Sequence, residues 1–548
     1  LNILRSNWLI RSRYPLAILA GLCWAVSFPK ISLAGLAWVA PALMLAAAAG
    51  KSGVDSFRIG YVAGLTHYLA SLYWLLLIPY RWHSIPLGPA AGWLALSAYL
   101  ALYPAAWVWL MARLPLESWA GRRLWEISGA AAWVGLEMIL ARLFSGFPWD
   151  VLGVSQYQLL PLIQIASFTG VYGVSFLVVW VSLALLSGAV MLIKRPTLRS
   201  IWIGEIALPL LIAVLVVSFG FRQLGNGRVS SGLASDKPRS LKVTFVQPSI
   251  PQTVMWDQEK STERFQDLLQ LSEQALTNQT DLLLWPESAV PRPLRYFDEM
   301  FGPITSLARD HHVWMIVGSD DLEQRPGTSK PEDREFYNSS FLISPEGKLV
   351  GGYRKRGLVI FGEYIPMEHW LPIFKYFTPS EGSFTPGAHP VPFELPNHKT
   401  KTSVLICFED VFPHLAREYP EEDTDFLVNI TNNGWFGESA AQWQHACSAL
   451  FRAVENGLPL VRCSNNGLTC WVDERGRLRQ IFHDKDGTVY GPGFMTAEIP
   501  LLAAGEKRPR TFYNQYGDWF GWTCVGITGG MLGVRVLRWK KSRAEKQR

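Results

Sequence analysis

No two cysteines in this sequence are spaced CxxC, so the usual frame of a structural zinc site is missing, and no metal or other cofactor is expected. Charge is scarce: charged residues make up 18% of the chain against 49% hydrophobic. The net charge of +6 would suit a nucleic-acid partner. The positive residues, however, gather in short loops and at the termini, not on one polar face, which argues against that class. Cysteine is sparse too. Cys23 and Cys524 fall in apolar stretches and read as small core residues. Cys463 and Cys470 flank SNNGLT, and a disulfide across a hairpin there stays open.

What is present divides into two parts. A chain of 548 residues holds at least two domains. Residues 15–221 are overwhelmingly apolar, whereas 240–510 have ordinary soluble composition. A bilayer-spanning helix needs roughly 20 mostly apolar residues. The stretches 14–29, 32–50, 59–80, 86–112, 125–144, 162–193 and 201–221 qualify, the first of them also as half of a re-entrant hairpin. The first is not expected to be a cleaved signal, since AVSFPK is a poor cleavage site. An eighth, weaker stretch runs about 517–537, with Asp518 and Arg535 at its ends.

With the N-terminus inside, the inner loops carry Arg11, Arg13, Arg122, Arg123, Lys194 and Arg195 among others, and the outer loops only Lys30, Arg81 and Arg142. The basic tail RWKKSRAEKQR is then also inside, which requires an even number of spans. The expected order is a seven-helix membrane domain over 1–221, a linker at 222–240 and a soluble domain over 241–505 outside the cytoplasm. An eighth transmembrane helix over 512–538 and a cytoplasmic tail at 539–548 follow. In SGFPWDVLGVSQYQ, 145–158, Phe147 and Trp149 suit an interfacial belt or a segment lining the approach to the soluble site. Glu137 lies deep in the fifth span. It keeps a transporter reading open or pairs with Arg142.

In the soluble part, strand and helix signals alternate, from LKVTFVQ and STERFQDLLQLSEQAL to DFLVNITNNGWFG and AQWQHACSALFRAVENG. With hairpins mixed in, the pattern is that of an α/β domain with a mixed sheet. Three strand-to-loop junctions carry reactive side chains: Glu287 after LLLWP, Lys355 in GGYRKRG and Cys407 ending SVLIC. A thiol is only a few per cent ionised near neutral pH and needs a base. No histidine adjoins Cys407. His445 is a distant candidate base, and a carboxylate with a raised pKa is another. A lysine could then stabilise the oxyanion. Each residue alone has an ordinary reading, as a core cysteine, a solvated lysine and a turn glutamate.

Together, Glu287, Lys355 and Cys407, with the words WPES, GEYIP, ICFED and NNGWFG, resemble the nitrilase (carbon–nitrogen hydrolase) superfamily across roughly 240–500. Placed behind seven apolar spans and before an eighth, the domain resembles the apolipoprotein N-acyltransferases, as do SGFPW, WDQEK, WQH and SNNG. The resemblance implies an α-β-β-α sandwich fused to about eight transmembrane helices, in an enzyme of the cell inner membrane whose catalytic domain is periplasmic. It implies transfer of the sn-1 acyl chain of a membrane phospholipid, through a cysteine thioester, to the α-amino group of diacylglyceryl-cysteine in an apolipoprotein. Glu287 would be the general base, Lys355 the oxyanion support and Cys407 the nucleophile. Glu363, Glu409, Trp256 and Trp435 match further family positions around the pocket, and Phe408, next to the cysteine, stands where the family often has Tyr, its backbone N–H still able to face the oxyanion. The chain departs from the family pattern at Phe408, Gly357, Ile360 and Gly434. A monomer is expected. The alternatives are a membrane-tethered amidase acting on a small amide and a non-enzymatic lipid-presenting scaffold. The apolar segment 364–377 reads as core packing or as a mobile lid touching the bilayer through Trp370, Leu371, Phe374 and Phe377.

Overall fold

The computed structural model describes residues 13–51, 53–79, 87–112, 118–225, 239–255, 257–328, 330, 333–366, 383–503 and 506–547. Trp256 and most of the apolar segment 364–377 lie outside the described residues. The chain forms two compact units: Leu1–Leu75, Ala90–Gly225 and Tyr516–Arg548 make the first, Leu76–Pro89 and Asn226–Gln515 the second.

The first unit is helical. It contains α1 (Arg13–Ala25), α2 (Ala40–Ala47), α3 (Val54–Ser71), α4 (Gly88–Leu100), α5 (Leu102–Met111), α6 (Trp119–Leu140), α7 (Val171–Lys194), α8 (Arg199–Gly225) and a C-terminal helix, Trp519–Gln547. Among the described residues, four stretches are long and apolar enough to cross a membrane: Gly88–Met111, Val171–Lys194, Arg199–Gly225 and Trp519–Leu537. Three of the expected spans have different bounds in the structure. The stretch expected over 14–29 stops being helical at Ala25, where α1 ends. Residues 32–50 break into a 3₁₀ turn, Ala34–Trp38, and α2. Residues 162–193 are interrupted at Gly170, whose φ of +69° opens α7.

Helix α6 begins at the Ser118 cap, whose side chain accepts the Gly121 N–H. It carries Arg122, Arg123, Glu126 and Glu137, all buried. Arg122 donates to Glu205 of α8 at 2.7 and 2.8 Å, and Arg123 to Glu126 at 2.7 Å, so these charges are paired inside the bundle. Glu137 does not pair with Arg142. It accepts from Trp133 Nε1 at 2.8 Å and Leu152 N at 2.9 Å, while Arg142 bonds Asp518. Trp149 is buried, 5.1 Å from the Trp74 ring, so it is a core residue of this unit and not a belt residue.

The second unit contains two six-stranded sheets. The strands are β1 (Ser240–Gln247), β2 (Leu282–Leu284), β3 (Trp314–Gln324), β4 (Arg334–Ile343), β5 (Leu349–Arg354) and β6 (Pro392–Leu395), then β7 (Thr400–Ile406), β8 (Phe426–Thr431), β9 (Leu460–Ser464), β10 (Cys470–Val472), β11 (Leu478–Ile481) and β12 (Gly493–Pro500). The orders are β12-β1-β2-β3-β4-β5 and β11-β10-β9-β8-β7-β6. Each sheet has a parallel core, β1-β2-β3 or β7-β8-β9, flanked by antiparallel edges. The core strands are buried on both faces, which is why β2 and β8 read as continuous apolar runs.

Helices α9 (Ser261–Ala275) and α10 (Asp298–Asp310) cover the first sheet. Phe265, Leu268, Ile304 and Leu307 pack there against Trp285, Met315 and Phe341. Helix α11 (Ala441–Asn456) sets Ala446 against Leu468 and Cys470 of the second sheet. Between the sheets, the Cys463 sulfur lies 3.4 Å from the carbonyl oxygens of both Val246 and Leu284, either of which can accept its single S–H. The result is the expected α-β-β-α layering. Two edge strands, β6 and β12, fall outside the strand pattern read from the sequence. Cys463 and Cys470 are not bonded to each other. Cys470 pairs across the ladder with Arg462, so Cys463, one residue on, projects to the opposite face.

Candidate active site

Glu287 and Cys407 follow the core strands β2 and β7, Lys355 follows the edge strand β5, and the two sheets bring them together. Cys407 follows β7 and opens a 3₁₀ turn, Cys407–Val411, at a φ of +52°. That left-handed conformation is strained for a residue with a Cβ and persists only where the surroundings hold it. Three side chains do so. Asn429 Nδ2 donates to the Cys407 carbonyl at 3.1 Å, and His445 Nε2 lies 3.2 Å from the same oxygen. On the other side, Glu409 accepts the Ile406 N–H at 2.7 Å.

His445 therefore serves the backbone of Cys407, not its thiol. Its ring also bonds Asp410 at 2.7 Å and Asn433 at 3.0 Å, and Asp410 in turn takes Arg462 at 2.6 Å. Burial and then Arg462 hold His445 below the usual histidine range, so it is neutral. The distant-base reading of His445 is corrected by this geometry.

The charged centre is a buried cluster. Lys355 Nζ is 2.8 Å from Glu363 Oε1 and 3.2 Å from Glu287 Oε1. Asn338 Nδ2 donates to both carboxylates at 2.8 Å. The second oxygen of Glu287 accepts the Asn432 N–H at 2.9 Å, and that of Glu363 accepts the Val359 N–H at 2.8 Å. Lys355 is 1% exposed. Burial works to discharge it, but Glu287 and Glu363 outweigh burial and hold the ammonium well above the ordinary lysine range. Burial pushes the Cys407 thiol up, Glu287 raises it further and Lys355 pulls it back, leaving it at about 12. The resting sulfur is thus a thiol, and any thiolate formed here needs a base to take its proton.

Glu409 is fully buried and does not touch the cluster directly. Its Oε1 accepts from Tyr353 Oη at 2.7 Å, Arg356 N at 2.7 Å and Gly357 N at 3.0 Å. Phe408 packs edge-on against Phe412, 4.9 Å between centroids. Trp435 lies half-buried in the turn after β8.

Asn338 escaped sequence reading. Its importance follows from its place in the β3–β4 register, which no local word announces. Asn432 stood in the quoted NNGWFG. It holds Glu287 through its backbone, and its side chain joins Gln252 at 3.2 Å and Asn465 at 3.0 Å.

Residues 242–497 match the carbon-nitrogen hydrolase family, and residues 20–184 match the apolipoprotein N-acyltransferase N-terminal domain. An apolipoprotein N-acyltransferase of Geobacter metallireducens is 37% identical over 536 residues, 97% of this chain and 96% of the relative. The chain belongs to the apolipoprotein N-acyltransferase family. A second apolipoprotein N-acyltransferase, from Methylococcus capsulatus, is 30% identical over 538 residues, 97% of both chains. A solved amidase from Nesterenkonia sp. is 17% identical, with a TM-score of 0.35 over 49% of this chain and 94% of that one.

Proposed function

We propose that the protein transfers the sn-1 acyl chain of a membrane phospholipid to the α-amino group of diacylglyceryl-cysteine at the N-terminus of an apolipoprotein, through a thioester on Cys407. The observation that carries this reading is the buried Glu287–Lys355–Glu363 cluster at the Cys407 turn, in a chain that matches acyltransferase relatives from end to end.

In the first half-reaction Glu287 takes the thiol proton as sulfur attacks the ester carbonyl. The Lys355 ammonium and the Phe408 N–H stabilise the oxyanion. When the tetrahedral intermediate collapses, the lysophospholipid oxygen leaves with the proton from Glu287. In the second half-reaction the amine attacks the thioester and Glu287 passes a proton from nitrogen to the departing sulfur. Glu363 and Asn338 fix Glu287 and Lys355, Glu409 positions the turn, and Trp256 and Trp435 contribute to the pocket.

The reading includes eight transmembrane helices in the inner membrane, a periplasmic catalytic domain over 241–505 and a monomeric enzyme. The apolar helices and the loop-charge asymmetry support it. Intact mass spectrometry after incubation with phosphatidylethanolamine tests the core of it. An added acyl mass, removed by hydroxylamine and absent in Cys407→Ala, is expected. No acyl mass on a protein that still turns over small amides would overturn it.

A further inference from the structure

Asp320 sits in β3, two residues beyond Gly318 and so on the same face of the sheet. A Cβ at Gly318 would lie 2.2 Å from the Pro286 carbonyl oxygen and 2.8 Å from Glu287 Cα, so that face looks at the Glu287 turn. The ladder agrees. Asp320 pairs directly with Asn338, and directly paired residues project to one side. Asn338 is the amide that bridges Glu287 and Glu363. Asp320 Oδ1 is buried without a hydrogen-bond partner among the described residues, and so is Asn338 Oδ1. Two neighbouring acceptors in that state call for an explanation, and a ligand bearing several N–H protons supplies one.

We propose that Asp320 receives the protonated α-amine of the acceptor and takes its surplus proton, with Asn338 Oδ1 accepting one of the remaining N–H groups. The proposal rests on the acyl-transfer reading above. An α-amine with a pKa near 8 is about nine-tenths protonated at pH 7, and the protonated form has no lone pair to attack with. Proton transfer from R–NH₃⁺ to the Asp320 carboxylate gives R–NH₂ and a neutral carboxyl. The nitrogen lone pair then forms the C–N bond at the thioester carbonyl. Glu287 takes a second proton from nitrogen, the C–S bond breaks, and the sulfur recovers its proton from Glu287. Asp320, which is half-buried, returns its own proton to solvent.

The neighbouring charges fit this role. Glu287 lies at the end of β2 and Glu363 in the loop after β5, and Lys355 is shared between them. Asp321 projects to the other face, paired with Arg295 and Arg354. Burial, then Glu287 and Glu363, raise Asp320 to about 7, close enough to the amine for nearly level proton transfer.

The test separates the half-reactions in the full-length protein, for wild type, Asp320→Asn and Asp320→Glu. Thioester formation from phosphatidylethanolamine is followed by intact mass. The isolated acyl-enzyme is then chased with a diacylglyceryl-cysteinyl peptide bearing a free α-amine. Asp320→Asn is expected to form the thioester within about threefold of wild type, which also shows an assembled site. It should lose about tenfold in the chase at pH 7, shrinking to less than twofold at pH 9, where the amine is already neutral. Asp320→Glu should recover part of the loss. Equal losses in both halves, no loss in the chase, or a chase deficit that does not shrink with pH would overturn the proposal. Failure of the wild type itself to form a thioester would overturn the reading of Cys407 instead.

Discussion

One carboxylate, Glu409, bonds the backbone N–H of Ile406 at 2.7 Å and that of Gly357 at 3.0 Å. It therefore ties the residue before Cys407 to the loop that follows Lys355. Replacing it with glutamine sets an amide N–H against at least one of the backbone donors now facing the carboxylate. Glu409→Gln is expected to lower kcat by up to roughly 100-fold with KM little changed, because the nucleophile is misplaced and not removed. Steady-state kinetics with lipid donor and lipopeptide acceptor check this.

Lys355 neutralises two buried carboxylates at once. Lys355→Met leaves Glu287 and Glu363 facing each other uncompensated, which should cost about 3–5 kcal/mol of stability and abolish transfer. Adding Glu363→Gln should restore part of the stability and none of the activity. Thermal unfolding in detergent, beside an activity assay, distinguishes these outcomes.

The Cys407 thiol, held at about 12, should alkylate slowly. Its rate with iodoacetamide is expected to climb about tenfold per pH unit through pH 10 without a plateau, since only the thiolate reacts. Glu287→Gln removes a charge that raises the thiol. That variant should alkylate faster than wild type while losing acyl transfer. Slower alkylation would contradict the assigned electrostatics.

His445 is neutral in the fold, below its unfolded value near 6.5. The unfolded state then binds the extra proton, so this histidine withdraws stability as pH falls below about 6.5 and contributes no such loss above it. His445→Gln should flatten that part of the stability profile. Because the ring touches the Cys407 carbonyl and not the thiol, the variant should leave the shape of the pH–rate profile unchanged. A lost acidic limb would make His445 the base after all.

Glu287 and Cys407 could be picked out as candidates because each follows an apolar run, whereas Lys355 follows the mixed strand LVGGYR and stood out only beside the other two. The membrane half was less legible. Hydropathy averages over a window and cannot see that Gly170 breaks a helix. Nor can it see that Arg122 is neutralised by Glu205, 83 residues away in sequence. The same holds for Cys470, which flanks SNNGLT as if to meet Cys463 yet lies opposite Arg462. Asn338 and Asp320 gain meaning only from the β3–β4 register, a long-range property.

The raised pKa of the Cys407 thiol has a consequence for the enzyme's lifetime. Peroxide attacks thiolate, and a sulfur kept protonated between turnovers offers almost none of it. Outside the cytoplasm, where we place the catalytic domain, thiols lack the glutathione and thioredoxin systems that keep cytosolic cysteines reduced. On the proposed mechanism, an enzyme that ionises its cysteine only with a substrate in position can wait there, idle and undamaged, for lipids that arrive by slow diffusion in the bilayer.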